Sequence, residues 1–150
     1  MRLVIQRASH ASVRVDSKRV SEIGSGLMIL VGVETGDTID DAEWLAAKTS
    51  TLRIFDDENG VMNRSVIDID GELLAVSQFT LTASTRKGNR PSYIRAARGQ
   101  EALDLYDTYC RLLTEKTGRE VKKGIFGADM KVELLNDGPV TIIIDSKLRE

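Results

Sequence analysis

The chain has 150 residues, a formal net charge of −2, 41% hydrophobic and 29% charged residues. That is an ordinary globular composition with length enough for one sizeable core, so residues 1–150 read as a single domain. The balance excludes a nonspecific nucleic-acid binder working through bulk positive charge, and no DNA partner is expected. One cysteine (Cys110) and one histidine (His10) exclude a disulfide framework and a Cys/His zinc site, and no apolar run reaches membrane-spanning length. No metal or cofactor is expected. The opening MRLVIQRASHASVRV carries charges among its apolar residues, unlike a signal peptide, and with the lone cysteine this points to the cytoplasm.

Residues 2–8 (RLVIQRA) and 12–16 (SVRVD) alternate apolar and polar, which predicts two half-buried strands with His10 on the surface between them. Residues 27–33 (LMILVGV) form a continuous apolar run, as expected of a strand covered on both faces. A helix opens at Thr38, where Thr38 and Asp41 have capping-box spacing, and Ile39, Ala42, Leu45, Ala46, Thr49 and Leu52 fall on one face. FDDENG reads as a solvated turn. ELLAVSQFTL, from Glu72, is strand-like, and a loop rich in Gly, Asn and basic residues follows it. A second amphipathic helix spans about 98–117 with Ala102, Leu105, Tyr106, Tyr109, Leu112 and Leu113 on its stripe, Cys110 beside them as a small core residue, and Gly118 as its stop. Two last strands, near 130–136 and 139–145, flank an Asn-Asp-Gly turn. The tally gives an α+β fold with a largely antiparallel, barrel-like sheet and two main helices.

Three stretches could carry chemistry. NDGPVT reads locally as a hairpin turn, yet a proline directly after the glycine is an odd start for a strand that needs its N–H. The alternative is a rigid backbone element that makes shape contacts independent of a ligand's side chain. Ser77, Gln78, Phe79 and Thr80 break an apolar run. They are either a strand leaving the core or a site where backbone amides and short polar side chains bind a carbonyl or oxyanion. Thr80 would serve as a nucleophile only with a base beside it. Between Thr85 and Arg98, Arg86, Lys87, Arg90, Arg95 and Arg98 stand with no acid among them, and Tyr93 lies within the run. This is a solvated loop or a phosphate-binding patch whose tyrosine stacks on a base or ribose.

SQFTL and NDGPVT together are the signature pair of the D-aminoacyl-tRNA deacylase family, which this sequence resembles over essentially its whole length. MRLVIQRASHASVRV, GLMILVGV, TRKGNRPSY and GIFGADMKVELLNDGPVT look like that family in the same order. Two positions beside the signatures depart from it: Thr82 stands where an aromatic is usual, and Tyr93 where phenylalanine is.

The resemblance implies a homodimer with active sites at its interface. It would hydrolyse the ester joining a D-amino acid, or glycine mischarged on tRNA(Ala), to the 3′ end of tRNA, and so provide chiral proofreading in translation. By resemblance Gly138-Pro139, joined by a cis bond, enters the partner's site and reads the substrate α-carbon, while Ser77, Gln78, Phe79 and Thr80 line the receiving pocket. A wall that clashes with an L substituent rejects every L-amino acid whatever its size, and cannot exclude glycine. For the chemistry, either the Thr80 hydroxyl attacks, or backbone amides near Phe79 and Thr80 and the 2′-OH of the terminal adenosine suffice; the absence of an obvious base favours the second. Arg7 would hold the Gly-Pro carbonyls or be a strand-surface charge. Met130 would line the pocket or pack in the core. Asn136 is grouped with them as a supporting residue, and Arg86, Lys87 and Arg90 would meet RNA phosphates. Two other classes stay open, a noncatalytic RNA-binding dimer and a small-molecule D-amino acid esterase. RRM, KH and GxSxG signatures are absent.

Overall fold

The computed structural model describes residues 1–149. Its organising element is β1 (Arg2–Val15), one unbroken strand where the alternation predicted two. The change of face is absorbed at Ser9, where Ala8 pairs with Asn136 and His10 with Leu135 across a register shift. The first half of β1 pairs antiparallel with β3 (Gly26–Gly32), and the second half with β2 (Lys18–Ile23). β6 (Glu72–Ser77) adds parallel to β3, and β7 (Val121–Lys123) adds parallel to β6, giving the order β2-β1-β3-β6-β7. β2 leans over onto β6 and β7, where Lys122 Nζ donates to the Glu22 carbonyl at 2.8 Å, so the sheet curls nearly into a barrel. A separate hairpin of β4 (Phe55–Asp56) and β5 (Met62–Arg64) carries FDDENG; its exposed turn is closed by Asp57 Oδ1, which accepts from the amides of Asn59 and Val61.

The NDG hairpin does not form. β8 (Lys131–Asp145) runs antiparallel to β1 on both sides of NDGPVT, with Asn136 opposite Ala8 and Thr141 opposite Gln6. Residues 137–140 face only Arg7 and form a wide bulge. A 14-residue β1 offers a ladder to both halves, so the chain gains more by continuing than by reversing. Inside the bulge the missing N–H of Pro139 costs no ladder bond.

β3 is apolar throughout because its two faces enter different cores. Leu27, Ile29 and Val31, with Leu73 and Ala75 of β6, pack against both helices, whereas Met28, Leu74 and Val76 pack with Val13 and Ile23 inside the curled sheet. Gly26 lets β3 and β6 approach, since a Cβ there would stand 1.9 Å from the Glu72 carbonyl oxygen. The helix α1 (Ile39–Thr51) starts with the expected capping box, in which Asp41 accepts from the Thr38 amide at 2.8 Å. The helix α2 (Gly99–Thr117) ends at Gly118, left-handed with φ 69°. Between the helices Tyr109 is fully buried and its hydroxyl meets Thr49 Oγ1 at 3.0 Å. The thiol of Cys110 is buried in the same core, as expected, and burial pushes its pKa up to about 12.

Candidate active site

β3 and β6 run parallel and end together at Gly32 and Ser77. The carboxyl ends of parallel strands are where such sheets open into clefts. Here the cleft is a cavity of about 530 Å³. Val31, Val33 and Val76 line it together with the small Ala96, Ala97 and Ala102. Tyr106, Phe126, Met130, Val132 and Arg98 complete this part of the lining. Ser77, Gln78 and Phe79, at the end of β6, are three of the four SQFT residues and line the cavity. Thr80 is not among the residues that line it.

SQFT is not strand to its end. Past Ser77 the chain tightens into a 3-10 turn, Phe79–Thr82. The Gln78 amide still donates to the Val31 carbonyl at 2.8 Å, continuing the β3 ladder for one more bond. Gly32 then lets the turn sit directly on β3: a Cβ there would come within 3.0 Å of Leu81 Cβ and 3.2 Å of the Gln78 carbonyl. Within the turn the Leu81 amide donates to Gln78 and the Ala83 amide to Thr80. The amides of Phe79 and Thr80, the first two of the turn, find no protein acceptor among the described residues. Such orphaned donors are a general feature of helix N-termini. The hydroxyl of Thr80 meets the Gln78 side-chain amide, and no carboxylate, imidazole or amine pairs with it among the described residues. Thr82, at the position where an aromatic was expected, is fully buried and donates to the Phe79 carbonyl at 2.8 Å. The ring of Tyr93 stands edge-on to Phe79 with centroids 5.1 Å apart, and both border the cavity.

Gly138 and Pro139 lie elsewhere. Both are exposed, the bond between them is cis, Gly138 has φ 128°, and neither lines the chain's own cavity. They are held from beneath. Arg7, buried despite its charge, donates from Nε to the Asp137 carbonyl at 3.0 Å and from Nη1 to the Ile54 carbonyl at 2.8 Å, with Asp56 Oδ1 at 3.3 Å. The Asn136 side-chain Nδ2 donates to the carbonyls of Arg7 (3.1 Å) and Val140 (3.0 Å), closing the neck of the bulge.

Arg86, Lys87 and Arg90 are exposed on the 84–92 loop, whose base is closed by paired Ser84 and Ser92 amide bonds of 2.9 Å each. None of the three has an acidic partner among the described residues. Arg95 differs, because it donates to the Thr82 carbonyl at 3.2 Å and lies 3.7 Å from Glu34. His10 is on the surface, as expected, 3.9 Å from Glu133. The aromatic wall of Tyr106 and Phe126, centroids 5.9 Å apart, was missed in the sequence. Tyr106 reads as helix core, and it is buried with its hydroxyl donating to the Ala75 carbonyl at 3.0 Å. It also lines the cavity, which the periodicity of α2 cannot reveal.

Residues 4–145 match the family described as D-Tyr-tRNA(Tyr) deacylase. The chain belongs to this family, and with it to the hydrolases of the aminoacyl-tRNA ester bond. Relatives named D-aminoacyl-tRNA deacylase include those of Parabacteroides distasonis, 59% identical, and Flavobacterium johnsoniae, 55% identical, each over 150 residues and all of both chains. A solved structure titled c-Myc DNA Unwinding Element Binding Protein superposes with TM-score 0.92 at 39% identity, covering 97% of this chain and 98% of that one. A second, titled as a probable eukaryotic D-amino acid tRNA deacylase, superposes with TM-score 0.82 at 17% identity over 95% of this chain and 97% of its own, a likeness of fold.

Proposed function

We propose that this chain is a single-domain, cytoplasmic deacylase that frees tRNA of D-amino acids and of mischarged glycine, working as a homodimer in which each copy completes the other's site. One observation carries the reading: Phe79, whose amide is unpaired among the described residues, lines the cavity with the equally unpaired Thr80 amide next in the chain, while the exposed Gly138-Pro139 element lies outside that cavity. An element built this firmly and not used by its own cavity is suited to a second copy's cavity. A twofold axis delivers two such elements to two cavities at once.

The edge of β8 supports the pairing. Its only strand partner among the described residues is β1, so 15 residues present an open ladder edge. Leu135 is 55% and Ile143 69% exposed, and Val132, Leu134, Val140, Ile142 and Ile144 are only half-buried. Covering that apolar strand by a second copy removes a face that a lone chain leaves in water.

In the chemistry we propose, the ester carbonyl points at the Phe79 and Thr80 amides. Water attacks, the oxygen that gains charge is held by these two donors, and the ribose hydroxyl leaves as free tRNA. The terminal 2′-OH positions that water. Thr80 acts by its backbone and by its bond to Gln78, and an already labile ester asks for no stronger base. The Gly138-Pro139 backbone of the partner blocks the place where an L side chain would project. Arg86, Lys87 and Arg90 hold RNA phosphates.

The test is deacylation of matched D-tyrosyl-, L-tyrosyl- and glycyl-tRNA. The D and glycyl esters disappear and the L ester survives. Equal loss of D and L removes the filter, and no loss of any ester removes the enzyme. Thr80→Val keeps kcat within about tenfold of wild type; a drop of several orders of magnitude would make the hydroxyl the nucleophile.

A further inference from the structure

The 3-10 turn Phe79–Thr82 has four residues, too few to hold itself rigid. Its start is tied to β3 through the Gln78 amide on the Val31 carbonyl, and its last carbonyls are held by side chains. Two guanidinium groups supply those bonds. Arg2 Nη1 donates to the Leu81 carbonyl at 3.1 Å while Arg2 Nε and Nη2 reach Asp145 at 3.0 and 2.9 Å, tying the turn to both β1 and the end of β8. Arg95 Nη2 donates to the next carbonyl, Thr82, at 3.2 Å, and the Arg95 carbonyl accepts from the Thr35 amide at 2.9 Å. These are the last two carbonyls of the turn, the ones a short helix leaves without partners. Each is bonded by a charged donor, which is stronger than a neutral one. From below, Gly32 leaves no slack between the turn and β3.

We propose that Arg2 and Arg95 are positioning residues for deacylation, bracing the turn by its Leu81 and Thr82 carbonyls so that the Phe79 and Thr80 amides stay aimed at the developing oxyanion. The proposal rests on the deacylase reading of the cavity. It also divides the basic run, because Arg95 acts on protein and not on RNA, unlike Arg86, Lys87 and Arg90. Arg95 lies in the segment that follows the 84–92 loop, so one stretch of chain carries both the proposed RNA contacts and the brace on the turn.

A substrate without phosphates separates the two roles of an arginine. We would compare D-tyrosyl-tRNA with 3′-O-D-tyrosyl-adenosine for wild type, Arg2→Met, Arg95→Met and the Lys versions of both. The Met variants lose roughly tenfold to a hundredfold in kcat on both substrates, the scale of a misplaced oxyanion donor. KM stays within about twofold, the signature of an interaction made in the transition state. Lys, which still donates to one carbonyl, recovers part of the loss. If Arg2→Met does not fold, Asp145→Asn and Arg2→Lys carry the same test, with kcat falling in the same direction by less. Unchanged kcat on the adenosine ester, with a raised KM on tRNA for Arg95→Met, overturns the brace and makes Arg95 a phosphate contact. A wild type active on D-tyrosyl-tRNA with unaffected variants overturns the brace alone. A wild type inert toward it overturns the deacylase reading and the brace together.

Discussion

The Arg7 guanidinium donates to the main chain of two distant segments, Asp137 in the bulge and Ile54 just before β4, while its own carbonyl accepts from Asn136. A planar fork can hold two such acceptors at once; a lysine cannot. Gly138 is the point where that support is tightest. A Cβ there would meet Arg7 Nη2 at 3.0 Å and Val140 Cγ2 at 2.9 Å, in a backbone region that L residues rarely adopt. Gly138→Ala therefore displaces the bulge without touching the cavity of its own chain. The expected outcome is a loss of D-tyrosyl-tRNA turnover of roughly tenfold or more and a lower ratio of D to L rates, read side by side on the two esters. At this scale the sequence was legible where a residue type is rare and local. Pro139 after Gly138 and the polar break at Ser77 stood out. Arg7 stood out only through the family resemblance and with two readings open, because a charged residue in an alternating strand looks the same whether its side chain turns to water or lies beneath a bulge 130 residues away.

Elements were legible when their period ran long enough. Both helices follow their apolar stripes, down to the Thr38–Asp41 box and Gly118, except at Ile39, which begins α1 and is 62% exposed because no neighbouring element covers that first position. β2, β4, β5 and β7 have six residues or fewer and little alternation, so nothing in them outweighed the turn residues around them. NDG misled for a different reason. Its turn chemistry is real, but a hairpin and a bulge use the same residues, and the choice lies in the length of β1, which is not local. The start of α1 gives a pH prediction. Burial would raise the Asp41 carboxyl, but the Lys147 ammonium at 2.7 Å and the Thr38 amide outweigh it and hold the group well below the usual carboxylate range. Its ionised form therefore stabilises the fold at neutral pH, and that contribution is lost as pH falls through the lowered pKa. Thermal melts of wild type and Asp41→Asn should differ at pH 7 and start to converge only once pH falls below about 4, where an unfolded aspartate takes up its proton, with the gap closing fully only at still lower pH.

For the whole molecule, charge is distributed unevenly although the net value is small. Lys122, Lys123, Arg119 and Arg111 are each paired with an acid, whereas Arg86, Lys87 and Arg90 are not. Unpaired cations on an exposed loop beside the cavity suit a polyanion whose end enters it. Lys87→Ala with Arg90→Ala should raise KM for D-aminoacyl-tRNA and flatten the slope of log KM against log salt by about 2, with kcat little changed, in steady-state assays across a salt series. An unchanged slope would assign the loop to solvent. This patch was visible in the sequence as a run, but its separation from Arg95 was not, since that depends on which carbonyl lies within reach.

The unpaired amides of Phe79 and Thr80 have a pharmacological consequence. On the proposed mechanism, a site that works through main-chain N–H groups offers no activated side chain for a covalent warhead. Thr80 has no base beside it, and the one thiol, Cys110, is buried and protonated far above neutral pH. Fluorophosphonates and iodoacetamide should thus leave deacylation intact after hours of incubation. Useful inhibitors would be non-hydrolysable copies of a D-aminoacyl adenosine end, which compete for the donors themselves. The same property makes resistance hard to acquire, because no single side-chain substitution removes a backbone amide other than one to proline.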